Sequence, residues 1–359
     1  MKGAKKIMTD KMKYGVITGK QKAEVGEKDI PAIKDDEVLI NNKTCNICTT
    51  DYQQWAGDRM HQPFPMAFGH ENSGVVVKVG KDVKNCEPGD HTVVNIYGPC
   101  MECPNCRMGK SSVYCKFNQA NEKMKKPDEN GIYGFYGCGE YQVAKSKHVF
   151  KIDKSLPFEE AGFVEPLATV IHGIERLRIK MKEKVLVIGA GTMGLLNAQV
   201  ARYYGADVII SELIEKKLDA AKELKFDKLI NPKKENFDER IKEYLEGEEL
   251  DAIIIAVGAT SAYNQAIQVA PKGCRMLIFA ANFPEPDWNL KPNPVHYQLW
   301  EIIGTYGCST RDYQVATKLL GNKEVVVKPL LENKYPLSEI QDAFKQAVIP
   351  GMYRVTIEI

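Results

Sequence analysis

Between Ala67 and Gly74 the chain reads Ala-Phe-Gly-His70-Glu71-Asn-Ser-Gly, and upstream stands Cys48-Thr-Thr50-Asp51. A thiolate, an imidazole and a carboxylate brought together across a turn suit a zinc ion that keeps one position open for substrate. Thr50 supplies a hydroxyl beside such a metal, and Asp51 a carboxylate able to orient a ligand. Cys45 makes a CxxC pair with Cys48, so a redox pair competes with this reading. Only Cys48 is followed by the hydroxyl and the carboxylate. Cys48 is therefore read as the ligand and Cys45 as a buried structural thiol. Downstream, Cys100, Cys103, Cys106 and Cys115 can close a tetrahedral four-thiolate site, which has no vacancy and is expected to be structural. A reduced loop without metal is its competitor.

A second constellation points to a dinucleotide. Gly189-Ala-Gly191-Thr-Met193-Gly194 follows a run of strand-forming residues and opens a helical stretch. The glycines permit a tight turn and let a pyrophosphate approach the helix N-terminus, where free N–H groups and the dipole favour an anion. Glu212 lies at the end of the next apolar run, about twenty residues on, where a carboxylate accepts from ribose hydroxyls and repels a 2′-phosphate. NAD is thus expected over NADP, with Lys216 and Lys217 nearby arguing the other way.

The elements that must position these residues change character along the chain. From about Tyr14 to Phe150 short β-rich segments alternate with Gly, Pro and Asn punctuation, as in a small β-barrel. From Lys184 to Asn282 the runs around Val185–Ile188, Asp207–Ile210, Asp251–Val257 and Arg275–Ala280 are continuously apolar, as expected of parallel strands buried on both faces. Helical stretches separate them, which indicates a doubly wound sheet. After about Pro294 mixed helix and strand resume, and Arg354–Ile359 reads as a strand returning to the first part. The expected division is 1–160 for a catalytic domain with the cysteine lobe, 161–298 for the dinucleotide domain, and 299–359 for the return.

The 359 residues carry a formal net charge of only +2, so no global field argues for nucleic acid or a membrane surface. No apolar run reaches the length of a spanning helix. The opening MKGAKKIMTDKM is basic without an apolar core, so export is not expected, and Met12 reads as the start of the fold. Ten cysteines in a large chain without a secretory signal indicate reduced, metal-bound thiols and a cytoplasmic setting.

Taken together these residues resemble the zinc-dependent medium-chain dehydrogenases, and within them the sorbitol (polyol) dehydrogenase-like branch. The likeness extends from Tyr14 onward and adds Glu165-Pro-Leu-Ala-Thr169 and Tyr335-Pro-Leu-Ser-Glu-Ile to the motifs above. It implies an α/β plus β-barrel architecture: a GroES-like catalytic domain with an inserted Rossmann domain and an active site in the cleft between them. It implies zinc and NAD(H) as cofactors, a small alcohol or ketone as substrate, and a homodimer or homotetramer. Glu165 aligns with a cysteine ligand of alcohol dehydrogenase, and Glu71 is the other carboxylate able to reach the metal, directly, through water or by exchange. Thr169 falls where the family contacts the nicotinamide. Gly304 and Thr305 fall where its carboxamide is held, and Met193 and Gly258 are further cofactor contacts.

Two departures stand out. The spacer before Cys115 is one residue longer than usual, and Gln53 occupies the place of the histidine that ends the family's proton relay. Glutamine cannot titrate, so protons are expected to leave by water. His172 and His148 read as packing or surface residues, His61 as exposed, with an approach to the cleft as its alternative, and Lys123, Lys125 and Lys126 as a solvated loop, with a grip on an acidic substrate as the sharper alternative. The reaction implied is hydride transfer between a secondary alcohol and NAD; a threonine dehydrogenase-like or a sugar-phosphate or sugar-acid dehydrogenase is the alternative. A zinc-free reductase and a non-enzymatic zinc or redox module are the rival classes. The second lacks a basic face and does not account for the dinucleotide site.

Overall fold

The computed structural model describes residues 11–288 and 290–359; residues 1–10 of the opening basic segment lie outside them, and Met12 falls in the strand Lys11–Gly19. Six parallel strands form one sheet, in the order Leu229–Ile230, Asp207–Ser211, Lys184–Ile188, Ala252–Ile255, Arg275–Ile278, Glu301–Gly304. The central strands have helices on both faces, which explains why Val185, Leu186, Val187, Ala252, Ile253, Ile254 and Ile255 are all fully buried with no polar alternation. The order reverses beside Lys184–Ile188, the topological switch point at which such sheets open a crevice.

The β-rich part holds two sheets. A seven-stranded one follows the path Leu331–Pro336, Arg354–Glu358, Glu37–Asn46, Glu71–Val79, His91–Val94, Val149–Lys151, with Tyr141–Lys145 paired to Glu37–Asn46. The terminal strand does return: Thr356, Ile357 and Glu358 pair antiparallel with Asn46, Cys45 and Thr44. A four-stranded sheet joins Lys22–Asp29, Lys11–Gly19, Met66–Ala67 and Tyr133–Gly134. Helix Ile340–Ala347 closes this part, its Phe344 packed on Trp55 and Phe68.

Helix Val164–Leu177 joins the two parts. Leu167, Val170, Ile171 and Ile174 are fully buried in one core that contains Phe150 from the β-rich part and Val187 and Ile254 from the parallel sheet. The start of this helix carries Glu165 and Thr169 toward the cleft, and His172 on the same helix meets Asp312 at 3.1 Å. His172 is therefore a packing residue with a carboxylate partner.

Candidate metal centre and dinucleotide cleft

Cys48 is placed by the start of a helix. It caps Thr49–Ala56, where the Asp51 carboxylate accepts the Cys48 backbone N–H at 3.0 Å and the Cys48 side chain faces the Asp51 N–H in return. Asp51 is 2 % exposed, and its other oxygen lies 3.4 Å from His70 Nδ1. That contact fixes the imidazole and leaves its second nitrogen for a ligand. Burial alone depresses the His70 imidazole, but Asp51 and Cys48 outweigh it and raise it well above its ordinary range. A positive charge is thus favoured between these side chains, which is the preference a bound cation would satisfy.

Cys48, His70 and Glu71 bring their ligand atoms within 4.8 Å of one another. Glu71 is nevertheless engaged elsewhere. Arg354, the first residue of the terminal strand, donates from Nε to Glu71 Oε2 at 2.7 Å and from Nη2 to Oε1 at 2.6 Å. Both side chains are buried, and the same Nη2 lies 3.9 Å from Cys48 Sγ. Glu165 is different: it lines the same cleft at 8 % exposure and has no hydrogen-bond or ion-pair partner among the described residues. Burial pushes its carboxyl up to about 7, helped by Glu71 and Asp51 and opposed by His70 and Arg354. An unpartnered buried carboxyl beside a thiol and an imidazole fits a cation ligand.

The second cysteine set also converges. Cys103 Sγ lies 3.5 Å from Cys106 Sγ and 3.9 Å from Cys115 Sγ, and Cys100 Sγ lies 3.9 Å from Cys106 Sγ. Backbone N–H groups of Glu102 and Cys103 lower the Cys100 thiol to about 6, so it is ready to act as a thiolate. The longer spacer before Cys115 contains the short turn Ser112–Tyr114, and Cys115 still reaches the other thiols. Ser111 Oγ and Ser112 N donate to the Cys308 carbonyl at 3.2 and 2.8 Å, so the lobe is fastened to the segment after Glu301–Gly304. Cys45 is fully buried against Cys138, apart from both clusters.

The glycine-rich turn has the shape that a pyrophosphate needs. Gly189 has φ +99°, and a Cβ on Gly194 would sit 1.8 Å from the Gly189 carbonyl oxygen, so both must be glycine. A Cβ on Gly191 would meet only Lys217 Nζ, at 3.8 Å; space is open before helix Thr192–Tyr203. Gly191 caps that helix with no side-chain acceptor, leaving its N–H groups for an anion. Gly191, Met193, Thr169, Gly258 and Thr305 line one cleft of about 510 Å³ together with Cys48, Thr50, His70, Glu71 and Glu165. Thr305 Oγ1 is buried in it without a hydrogen-bond partner. Gly189, Gly194, Glu212 and Gly304 do not line it. Glu212 differs from the expectation of a free carboxylate: Oε2 accepts from Ala190 N at 2.7 Å, and Oε1 accepts from Leu213 N and Ile214 N at 2.7 and 3.0 Å. It holds the turn in shape through these three backbone N–H groups.

Two expectations change, and the packing reading of His148 holds. His61 is not exposed: it is half-buried in the cleft wall, its Nδ1 has no partner, and burial lowers its imidazole. Lys123 and Lys125 lie on helix Gln119–Lys125 and not in a loop, and Lys123 is half-buried, with burial lowering its ammonium to about 8. His148 is 3 % exposed, its Nε2 3.0 Å from the Pro99 carbonyl.

Sequence reasoning also missed Arg354 and Tyr353. Tyr353 donates to the Ala190 carbonyl at 2.9 Å, tying the terminal strand to the glycine-rich turn. The available signal was an arginine opening a terminal strand that carries Val355 and Ile357, since a buried cation requires a buried partner.

Residues 34–154 match the family of alcohol dehydrogenase GroES-like domains, and residues 192–322 match the zinc-binding dehydrogenase family. A threonine 3-dehydrogenase from Pyrococcus abyssi is 31 % identical, with 94 % of each chain aligned. The chain belongs to the zinc-dependent medium-chain dehydrogenases. A sorbitol dehydrogenase from Bombyx mori is 27 % identical over 96 % of this chain and 97 % of its own length. In fold, a zinc-binding dehydrogenase of Sinorhizobium meliloti with NADP bound superposes with a TM-score of 0.86, at 24 % identity over 98 % of this chain and 100 % of the other. As a member of this family the protein is a zinc-dependent alcohol oxidoreductase.

Proposed function

We propose that this dehydrogenase oxidises a secondary alcohol, of the polyol, sugar-alcohol or small-diol kind, with NAD as the acceptor, and runs in reverse on the ketone. The observation that carries the proposal is one cleft lined by Cys48, His70 and the unpartnered Glu165 on one side and by the open N-terminus of helix Thr192–Tyr203 on the other. When bound, zinc supplies a Lewis acid at the substrate hydroxyl and the dinucleotide takes the hydride. Cys48, His70 and Glu165 are the ligands proposed for the catalytic metal. Glu71, neutralised by Arg354, exchanges in or holds its place behind. Cys100, Cys103, Cys106 and Cys115 hold a structural ion.

Thr50 lines the cleft with Oγ1 3.9 Å from Cys48 Sγ, and it accepts the proton that the substrate hydroxyl gives up. Gln53, nearly buried in the same wall, holds a hydrogen bond without titrating, so the proton passes to water. Thr169, anchored by its hydroxyl to the Pro166 carbonyl at 2.8 Å, faces the nicotinamide, and the free Thr305 hydroxyl meets its carboxamide. Glu212 favours NAD because its charge repels a 2′-phosphate; of the two lysines that argue the other way, Lys216 is paired with Glu332 at 2.7 Å, whereas Lys217 lines the cleft beside Gly191. The exposed Tyr297 and Leu299, beside the edge strand Glu301–Gly304, support a homo-oligomer.

The test is metal analysis with titration by NADH and NADPH, followed by a panel of polyols, diols, sugar acids, sugar phosphates and threonine. About two zinc per chain, tighter NADH than NADPH binding, and NAD-linked turnover of a secondary alcohol are expected. One zinc and no dinucleotide binding would remove the proposal. A threonine-specific result would favour the threonine dehydrogenase-like reading instead.

A further inference from the structure

The wall between helix Thr49–Ala56 and strand Met66–Ala67 is built for something other than the metal or the dinucleotide. Gln54, fully buried, clamps it: its Oε1 accepts from His61 N and Gln62 N at 2.9 and 3.3 Å, and its Nε2 donates to the Gln62 carbonyl at 2.9 Å. Arg59 N in turn donates to the Gln53 carbonyl at the helix end. The segment is thereby fixed with Arg59, His61 and Gln62 all lining the cleft that holds Cys48, Thr50 and His70.

Three polar groups on this wall lack partners. Gln62 is 6 % exposed, and its Oε1 accepts no hydrogen bond; His61 Nδ1 is buried and equally unpaired. Arg59 is half-buried and has no carboxylate partner among the described residues. Among the described residues the specific contact of its side chain is a cation–π one, with the guanidinium carbon 4.9 Å from the centre of the Phe283 ring. A cation–π contact occupies no hydrogen-bond acceptor, so the fork of guanidinium N–H donors can still meet an oxyanion in two parallel hydrogen bonds. Taking a cation partly out of water without a counter-ion is unfavourable, and an anion arriving in the cleft supplies what the fold does not.

We propose that the alcohol substrate carries an acidic group, carboxylate or phosphate, bound at the edge of Arg59, with His61 and Gln62 hydrogen-bonding the hydroxyls between that group and the reacting carbon. This rests on the alcohol dehydrogenase reading above and narrows it from neutral polyols to acid-bearing ones. Arg59 thereby selects the substrate without entering the chemical step, and Phe283, from the segment after strand Arg275–Ile278, orients its fork.

The experiment compares sorbitol, gluconate and sorbitol 6-phosphate, and the same three members of the xylitol series. They are titrated by calorimetry into the zinc-loaded protein with NADH bound, and assayed separately with NAD. At least one acidic member is expected to bind at least tenfold more tightly than its neutral parent, roughly the worth of one charge-assisted pair; the preferred arm identifies carboxylate or phosphate. In Arg59→Ala that preference falls to within about twofold, Arg59→Lys retains part of it because the charge stays and the fork is lost, and NADH affinity reports that the cleft is intact. Equal binding of neutral and acidic members, or an Arg59→Ala variant that loses both alike, overturns the proposal. Acid-selective binding that depends on Arg59, with no NAD-linked turnover of any alcohol, would uphold the anion site and remove the dehydrogenase reading.

Discussion

The two cysteine-containing clusters use related ligands to opposite ends. Cys100, Cys103, Cys106 and Cys115 all come from one short lobe, converge on one another and offer four thiols, so a tetrahedral ion there is fully coordinated and has no position for substrate. Cys48, His70 and Glu71 come from a helix start and a turn and meet in the wall of a cleft that Glu165, from a third element, also lines, while Glu71 is already held by Arg354. The proposed sites thus differ both in the number of protein ligands, four against three, and in where those ligands come from. A lobe that supplies all four ligands stabilises itself, whereas ligands gathered from separate elements leave one position facing a cavity.

The widest test of this contrast is a pair of serine substitutions. Cys48→Ser is expected to lower kcat for alcohol oxidation by at least about a thousandfold, since a Lewis acid is worth several kcal/mol at the reacting oxygen, while NADH affinity and thermal midpoint stay near the parent values. Cys115→Ser is expected to do the reverse, losing one zinc per chain and lowering the thermal midpoint while most turnover survives. If Cys115→Ser stops turnover as completely as Cys48→Ser at an unchanged midpoint, the division into open and closed sites is wrong.

A sharper question concerns the carboxylate in the open cluster. Arg354→Met leaves Glu71 buried without its partner and is expected to cost about 3–5 kcal/mol in urea unfolding of the metal-free protein. Glu71→Gln/Arg354→Met removes the stranded charge and should recover at least half of that loss. A double variant as unstable as the single one would show that Arg354 matters through packing and not through Glu71.

The smallest effect lies beneath the closed cluster, where His148 contacts the carbonyl of Pro99, next to Cys100. Burial holds its imidazole down at about 4 against the ordinary 6.5, so between these values the unfolded chain takes up a proton that the folded chain refuses. Stability therefore declines as pH falls from 6.5 to 4, by up to about 3 kcal/mol for a shift of this size, and is fully present above 6.5. In His148→Gln the decline over that interval should be shallower by this amount, read from urea midpoints at successive pH. Parallel pH profiles for parent and variant would assign the acid loss to other groups.

The parallel sheet and the glycine-rich turn were legible because their signals are local: continuous apolar runs, and glycines where only glycine fits, as Gly194 against the Gly189 carbonyl requires. The four-cysteine lobe was legible for the same reason, its ligands lying close in the chain. Arg59, His61 and Gln62 were illegible, because nothing in their types distinguishes a solvated loop from a cleft wall until the buried Gln54 pins the segment.

The ligand types, the fingerprint before helix Thr192–Tyr203 and the β-branched runs that make a doubly wound sheet are all written in residues near one another along the chain. Which carboxylate is free is not written there; it emerges when the chain is folded. Glu71 and Glu165 are alike as residue types, but strand pairing brings Arg354 from the far end of the chain onto Glu71 and leaves Glu165 buried with no partner among the described residues. A charge taken out of water is governed by whatever sits beside it, and that neighbour is set by the fold and not by the local sequence.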